Sequence, residues 1–272
     1  MKKFTVGNAT ISVFNIGEIY LPLAKHMNVP ADKFDTMQDF ANLTQIPLLF
    51  AYIELPDTTI LVDAGLYDVE TYPEYAIEGY TPPPPLLEQL DSAGITVEQV
   101  QHVVITHRHW DHFNGTTVEK DGAYVPVFPN ARYYLGEPDW TRSAELRADP
   151  TTVESRTLQV LHDRNQLELV SESLKITDGV DIIATPGETR GHQVVRVHSA
   201  GETAICVGDL YHHPVEITHP EWMVNWANPD FIIDSREAIF KRIVDENALV
   251  FAGHFHAGRL QSANDGYVWQ QA

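Results

Sequence analysis

Val103-Val104-Ile105-Thr106-His107-Arg108-His109-Trp110-Asp111-His112 sets three imidazoles and a carboxylate into six residues directly behind an apolar run. The run predicts a buried strand, and the polar residues predict a site at its end. Imidazole and carboxylate are the usual ligands of zinc and iron, and a strand end holds them on a rigid platform. In an extended segment His107 and His109 point the same way, because strand side chains alternate. Asp111 and His112 are adjacent, so an extended chain would send them to opposite faces. Both serve a metal centre only if the backbone turns there, and the spacing therefore predicts two metals sharing one loop. The competing reading is a solvated His-rich loop, against which stand four ligand-type side chains placed straight after an apolar strand.

Four more motifs sit where strands should end: Ile60-Leu61-Val62-Asp63-Ala64-Gly65, Thr185-Pro186-Gly187-Glu188-Thr189-Arg190-Gly191-His192, Val207-Gly208-Asp209 and Ala252-Gly253-His254. With the His-x-His-x-Asp-His element, in this order, they resemble the signature of the metallo-β-lactamase superfamily, over roughly residues 48–258. The resemblance implies an α+β fold, an αββα sandwich of two mixed β-sheets flanked by helices. It assigns His107, His109 and His192 to one metal, Asp111, His112 and His254 to the other, and Asp209 as the bridge. It makes Asp63 the partner that fixes a ligand histidine, the alternative being a turn cap. Glu188 stands where the family often has a histidine, at a position that does not bind metal there. His256 competes with His254, which is preferred because it follows the apolar Leu249-Val250-Phe251.

Composition agrees. A chain of 272 residues, 43% hydrophobic, has material for one large core, and one domain spanning 1–272 is expected. The lone Cys206 rules out an internal disulfide and thiolate-rich zinc sites, leaving nitrogen and oxygen ligands; it reads as a small buried residue. A formal charge of −20 disfavours nucleic acid, since phosphate binding needs Lys and Arg. Met1-Lys2-Lys3-Phe4-Thr5-Val6 lacks the apolar run of a signal segment, and no stretch reaches transmembrane length, so a soluble, cytoplasmic protein without a membrane partner is expected.

Strand-like runs occur at residues 10–14, 48–53, 59–62, 124–127, 132–135, 181–184, 194–197 and 203–207. Helix signals occur at 85–93 and 234–246, the latter with Ala238, Ile239, Ile243 and Val244 on one face, and Thr96-Val97-Glu98-Gln99 has the form of a capping box. Residues 16–47 and 66–85 read as irregular. The second contains Tyr67, Tyr72, Tyr75 and Tyr80 and ends in four prolines, and it shapes either the substrate side or a dimer contact. His102, His162 and His198 read as structural or solvated, and His26 and His219 as pocket candidates.

Five neutral imidazoles and two carboxylates around two divalent cations leave a net positive centre that favours a bound hydroxide, the expected nucleophile. The catalytic candidates are Asp111, through the second metal, and Tyr211. The segment Tyr211-His212-His213 follows the bridging aspartate; one of its side chains polarises a carbonyl or protonates a leaving group, or else Tyr211 packs in the core and the histidines face water. Trp222 and Trp226 suit either an aromatic substrate wall or an oligomer contact. Within the superfamily the chain looks most similar to the branch of N-acyl homoserine lactonases and methyl parathion hydrolase-like enzymes, in which dimers are common. That implies a two-metal hydrolase opening a lactone or cleaving an ester in a small-molecule substrate. The metals are zinc, with iron, manganese and cobalt also admitted by these donors. Alternatives are phosphotriester hydrolysis, glyoxalase II-like thioester hydrolysis, for which no glutathione-binding basic residues are recognisable and a −20 chain is a poor host, and an iron-dependent redox enzyme. His109→Ala is expected to abolish hydrolysis and lower metal content while the circular dichroism spectrum stays native; full activity in that variant would contradict the two-metal reading.

Overall fold

The computed structural model describes residues 1–29, 45–264 and 266–272. Its first sheet contains β1 (Lys2–Val6), β2 (Ala9–Tyr20), β3 (Gln45–Glu54), β4 (Thr59–Val62), β5 (His102–Val104), β8 (Arg132–Gly136) and β9 (Leu167–Val170), paired in that order. A separate hairpin is formed by β6 (Thr117–Lys120) and β7 (Ala123–Pro126). The second sheet runs in chain order through β10 (Leu174–Thr177), β11 (Val180–Ala184), β12 (Gln193–Ser199), β13 (Glu202–Cys206), β14 (Leu249–Phe251), β15 (Gly258–Ala263) and β16 (Gly266–Gln271). Both sheets are mixed. Strands β4, β5, β8 and β9 run parallel, as do β13 and β14, and the remaining pairs are antiparallel.

Strand alternation decides which side chains meet. Ile60, Val62 and Val104 of the first sheet share a buried cluster with Val195, Val197, Ala204, Cys206, Leu249 and Phe251 of the second. Their neighbours Leu61, Val103, Ile205 and Val250 belong to the other cluster, which also takes Leu86 and Leu90 from the helix Leu86–Ser92 and Ile232, Ile239 and Ile243 from the helix Pro229–Asp245. Every central strand is thus apolar on both faces, one toward the partner sheet and one toward a helix layer: the αββα sandwich.

Most local signals hold. Asn228 caps the long helix by accepting from the Asp230 N–H, with Pro229 in its first turn. The Thr96 capping box forms, but it opens a single 3₁₀ turn at Val97–Gln99. Three expectations change. The long helix begins five residues before its apolar periodicity, and its inner face carries Ser235 and Arg236, whereas Ala238 is exposed. The ends of the 16–47 stretch belong to β2 and β3, and Leu23–His26 is a short helix; residues 30–44 lie outside the described residues. The apolar run before the metal motif supplies only two of the three residues of β5, Val103 and Val104; the Ile105 N–H bonds to the Tyr134 carbonyl of β8, and the Thr106 N–H is already turned to the Asp63 carboxylate.

Arg236 is the largest fully buried side chain. Its guanidinium donates to the carbonyls of Leu210, Pro220 and Trp222 and, at 2.5 Å, to the Glu216 carboxylate, which also accepts from the His212 and His213 N–H groups. One ion pair thereby ties the long helix to the segment after Asp209. Removing one partner strands the other charge in the core, so Arg236→Met is expected to cost about 3–5 kcal/mol in a denaturant titration.

Candidate metal centre

The site lies where the parallel strands of the first sheet and β12, β13 and β14 of the second deliver their loops. At the end of β4, Asp63 takes a left-handed backbone conformation (φ 62°) that turns its carboxylate toward the neighbouring loop. One oxygen accepts from the Thr106 N–H (2.7 Å), and the other accepts from His112 Nδ1 (2.8 Å) and Thr106 Oγ1 (3.0 Å). The chain then turns as expected: a one-turn helix at Trp110–Phe113 brings Asp111 and His112 inward beside each other.

The two sets of ligand atoms face one another. His107, His109, Glu188 and Asp209 form one group within a 4.8 Å span, and Asp111, His112 and His254 form another. Asp209 lies between them: its Oδ2 is 3.0 Å from His254 Nε2, 3.3 Å from His112 Nε2, 3.4 Å from His212 Nε2 and 3.8 Å from His107 Nε2. Asp111 Oδ2 is 3.6 Å from both His112 Nε2 and His254 Nε2. The imidazoles are fixed from behind. Asp63 holds His112, the Pro47 carbonyl accepts from His254 Nδ1 (3.0 Å), and Thr185 Oγ1 lies 2.9 Å from His192 Nδ1.

Electrostatics favour a charged Asp209. Burial opposes its ionised form, but His254 and His112 outweigh that and hold its carboxyl well below the usual range. Burial opposes protonation of His112 too, yet Asp209, Asp111 and Asp63 push its pKa well above the ordinary value. His107, buried among other imidazoles, is driven well below it, and burial takes His192 down to about 4.

Several buried polar atoms in this cluster, His112 Nε2, Asp209 Oδ1, Glu188 Oε2 and His212 Nδ1, make no hydrogen bond. Such orphans cost about 1–3 kcal/mol each unless something binds them. Nitrogen and oxygen donors converging without partners fit borderline divalent cations. The cradle needs glycine: a Cβ at Gly253 would lie 2.8 Å from Asp209 Oδ1 and 3.0 Å from His112 Cε1. Above the cluster opens a cavity of about 860 Å³ whose walls include Ile19, Leu21, His26, Tyr75, Trp110 and Trp226.

The structure sorts the sequence candidates. His107, His109, Asp111, His112, Asp209 and His254 converge as expected. His192 lies beside them, its ring 5.3 Å from that of His107 and its Nε2 accepting the Asp209 N–H at 3.1 Å. His256 points to solvent, whereas His254 is buried in the cluster. Tyr211 is a correction: it is fully buried, and its hydroxyl donates to the Arg236 carbonyl (3.1 Å), so it anchors the helix and does not face the cavity. Its neighbour His212 lines the cavity instead. Trp226 forms a wall, donating to Glu188 at 2.6 Å, whereas Trp222 is buried and stacks on His219. Tyr72 stacks on Trp110 at 4.2 Å, and Tyr75 lines the cavity. Glu188, read from the sequence as a position that does not bind metal, instead joins the His107, His109 and Asp209 group, its Oε1 3.3 Å from His109 Nδ1 and 3.6 Å from His212 Nε2. Sequence reasoning missed the fully buried Asp139, which accepts from the Arg108 N–H, Thr189 Oγ1 and the Gly191 N–H, clamping two motif loops together. An acidic residue in a first helical turn was visible at 139, but its targets lie 31 to 52 residues away.

Residues 50–254 match the metallo-beta-lactamase superfamily model, and the chain belongs to that superfamily of metal-binding hydrolases. It is 22% identical to an N-acyl homoserine lactonase of Bacillus cereus over 225 residues, covering 78% of this chain and 83% of that one. Among solved structures it is similar to AidC, a dizinc quorum-quenching lactonase in complex with the product N-hexanoyl-L-homoserine. The TM-score is 0.77 at 20% identity, over 100% and 97% of the two chains. It is likewise similar to the hydrolase AbOPH, with a TM-score of 0.77 at 20% identity over 99% and 96%. Among the described residues no helix is long and apolar enough to cross a membrane. Asp63→Ala, which leaves His112 Nδ1 without its acceptor, is expected to weaken metal binding about 10–100-fold in competition with a chromophoric chelator.

Proposed function

We propose that this protein is a dinuclear metal-dependent hydrolase that opens a lactone or cleaves a related carboxylic ester. The observation that carries the reading is Asp209, a buried carboxylate placed between two ligand sets at the floor of a substrate-sized cavity. One cation would be held by His107, His109 and His192, with Glu188 alongside. The other would be held by Asp111, His112 and His254, with Asp209 shared. Zinc suits these donors, and so do iron, manganese and cobalt. Bound there, the cations supply Lewis acidity and an activated water.

The chain's own residues do the rest. Asp63, Pro47 and Thr185 keep the imidazoles aimed. His212, 3.4 Å from Asp209 Oδ2 and 3.6 Å from Glu188 Oε1, would donate to an oxygen of the substrate, the role for which Tyr211, His212 and His213 were the candidates. Ile19, Leu21, Trp110 and Trp226 give the cavity apolar walls on which an acyl or ring portion packs and excludes water.

The test is metal content per chain on freshly purified protein, with rates on an acyl homoserine lactone, an aromatic lactone, a phosphotriester and a glutathione thioester. Two metals per chain and lactone turnover that is lost on chelation and restored by metal are expected. Turnover of the acyl homoserine lactone would make it a quorum-quenching enzyme. One iron with oxygen uptake and no hydrolysis would replace this reading with a redox one.

A further inference from the structure

The arginines of this strongly acidic chain are distributed unevenly. Of the eleven in the sequence, Arg132, Arg196, Arg236 and Arg242 are ion-paired, and Arg147, Arg164 and Arg259 donate to side-chain or carbonyl oxygens. Among the described residues, the guanidiniums of the other four, Arg108, Arg142, Arg156 and Arg190, make no ion pair or hydrogen bond. All four surround the metal centre. Arg108, Arg142 and Arg190 line the cavity above it, and Arg156 lines a smaller pocket that shares Arg108, His109 and Trp110 with that cavity.

The guanidiniums are also prepared. Arg108 stands between the two histidines of the first motif, and its Nε is buried without an acceptor. The Arg190 guanidinium carbon sits 3.7 Å from the centre of the Phe231 ring, a cation–π contact that steadies the group without using its N–H donors. The acidic groups of the same cavity are engaged elsewhere. Asp139 accepts three hydrogen bonds, Glu188 faces His109, His212 and Trp226, and Asp111 and Asp209 face imidazoles; Glu74 at the exposed rim is the exception. Unpaired planar donors beside an apolar wall match an oxyanion bidentately.

Resting on the hydrolase reading above, we infer that the substrate carries an anionic oxygen group, a carboxylate or a phosphate, away from the bond that is cleaved, and that Arg108, Arg142 and Arg190 hold it. The net charge of the chain argued against an anionic substrate, and carboxylates outnumber guanidiniums in the cavity wall too; what favours an anion is that Asp111, Asp139, Glu188 and Asp209 already face donors or imidazoles while the three guanidiniums have no acceptor.

The test compares three γ-lactones that differ in one side arm: a carboxylate, the matching primary amide and a phosphate ester. They are assayed with the metal-loaded wild type and with Arg108→Gln, Arg142→Gln and Arg190→Gln, singly and combined, each checked for metal content and thermal midpoint. In the wild type an anionic arm is expected to raise kcat/KM about tenfold over the amide, mainly through KM, as charge-assisted hydrogen bonds of ordinary strength would do. The combined variant is expected to lose that ratio. Whether carboxylate or phosphate is favoured identifies the group. An amide turned over as well as both anions, or an anion preference that survives in the combined variant, overturns the inference while leaving the hydrolase reading standing. If none of the three lactones is hydrolysed, the lactonase part of the reading above fails separately from the subsite. Calorimetry with the ring-opened dicarboxylate and its monoamide then decides the subsite. Tighter binding of the dicarboxylate by the wild type, abolished in the combined variant, supports it, and equal binding of the two overturns it.

Discussion

A buried carboxylate surrounded by imidazoles is the constraint on which the rest of this structure depends. Asp209 is 2% exposed and has four imidazole nitrogens between 3.0 and 3.8 Å of one of its oxygens. Taking that many polar groups out of water is expensive, and the expense is met only if they are aimed at one another and at whatever else binds there. The fold achieves the aim by ending rigid strands from both sheets at one place. The left-handed turn at Asp63, the single helical turn after His109 and the absence of a Cβ at Gly253 each serve that convergence.

Around this cluster runs a layer of groups that never reach the cavity floor but decide its shape. Asp63 and Asp139 act alike. Each is a buried carboxylate that gathers donors from a different loop, Asp63 joining β4 to the first motif and Asp139 joining the first motif to the second. Arg236 and Glu216 do the same for the loop that follows Asp209, which is why Tyr211 points into the core and His212 toward the Asp209 cluster. Loops tied at both ends keep their ligands within the tolerances that metal chemistry requires.

Much of the fold was legible in advance. The central strands are short β-branched runs bounded by polar turns, and six of the seven expected ligand residues, all but His192, fall in the two groups that converge at the strand ends. What could not be read depended on distance in space. Nothing near Glu188 in sequence indicates that His109 and His212 lie against it. Nothing near Arg108 indicates that Arg142 and Arg190 share its cavity. The three adjacent side chains Tyr211, His212 and His213 are equivalent candidates until the turn that separates them is known.

The sequence by itself determined the chemistry of this protein: which donor atoms exist, their order along the chain, and, through alternation and apolar runs, the strands that carry them. Local spacing fixes those properties because strand geometry repeats every two residues. Only the tertiary structure decided which groups face the cavity, which brace it and which charges remain unpaired within it. Those outcomes depend on contacts between segments 31 to 207 residues apart, from Arg108–Asp139 to Pro47–His254, whose closure is set by the packing of two whole sheets and not by any local pattern.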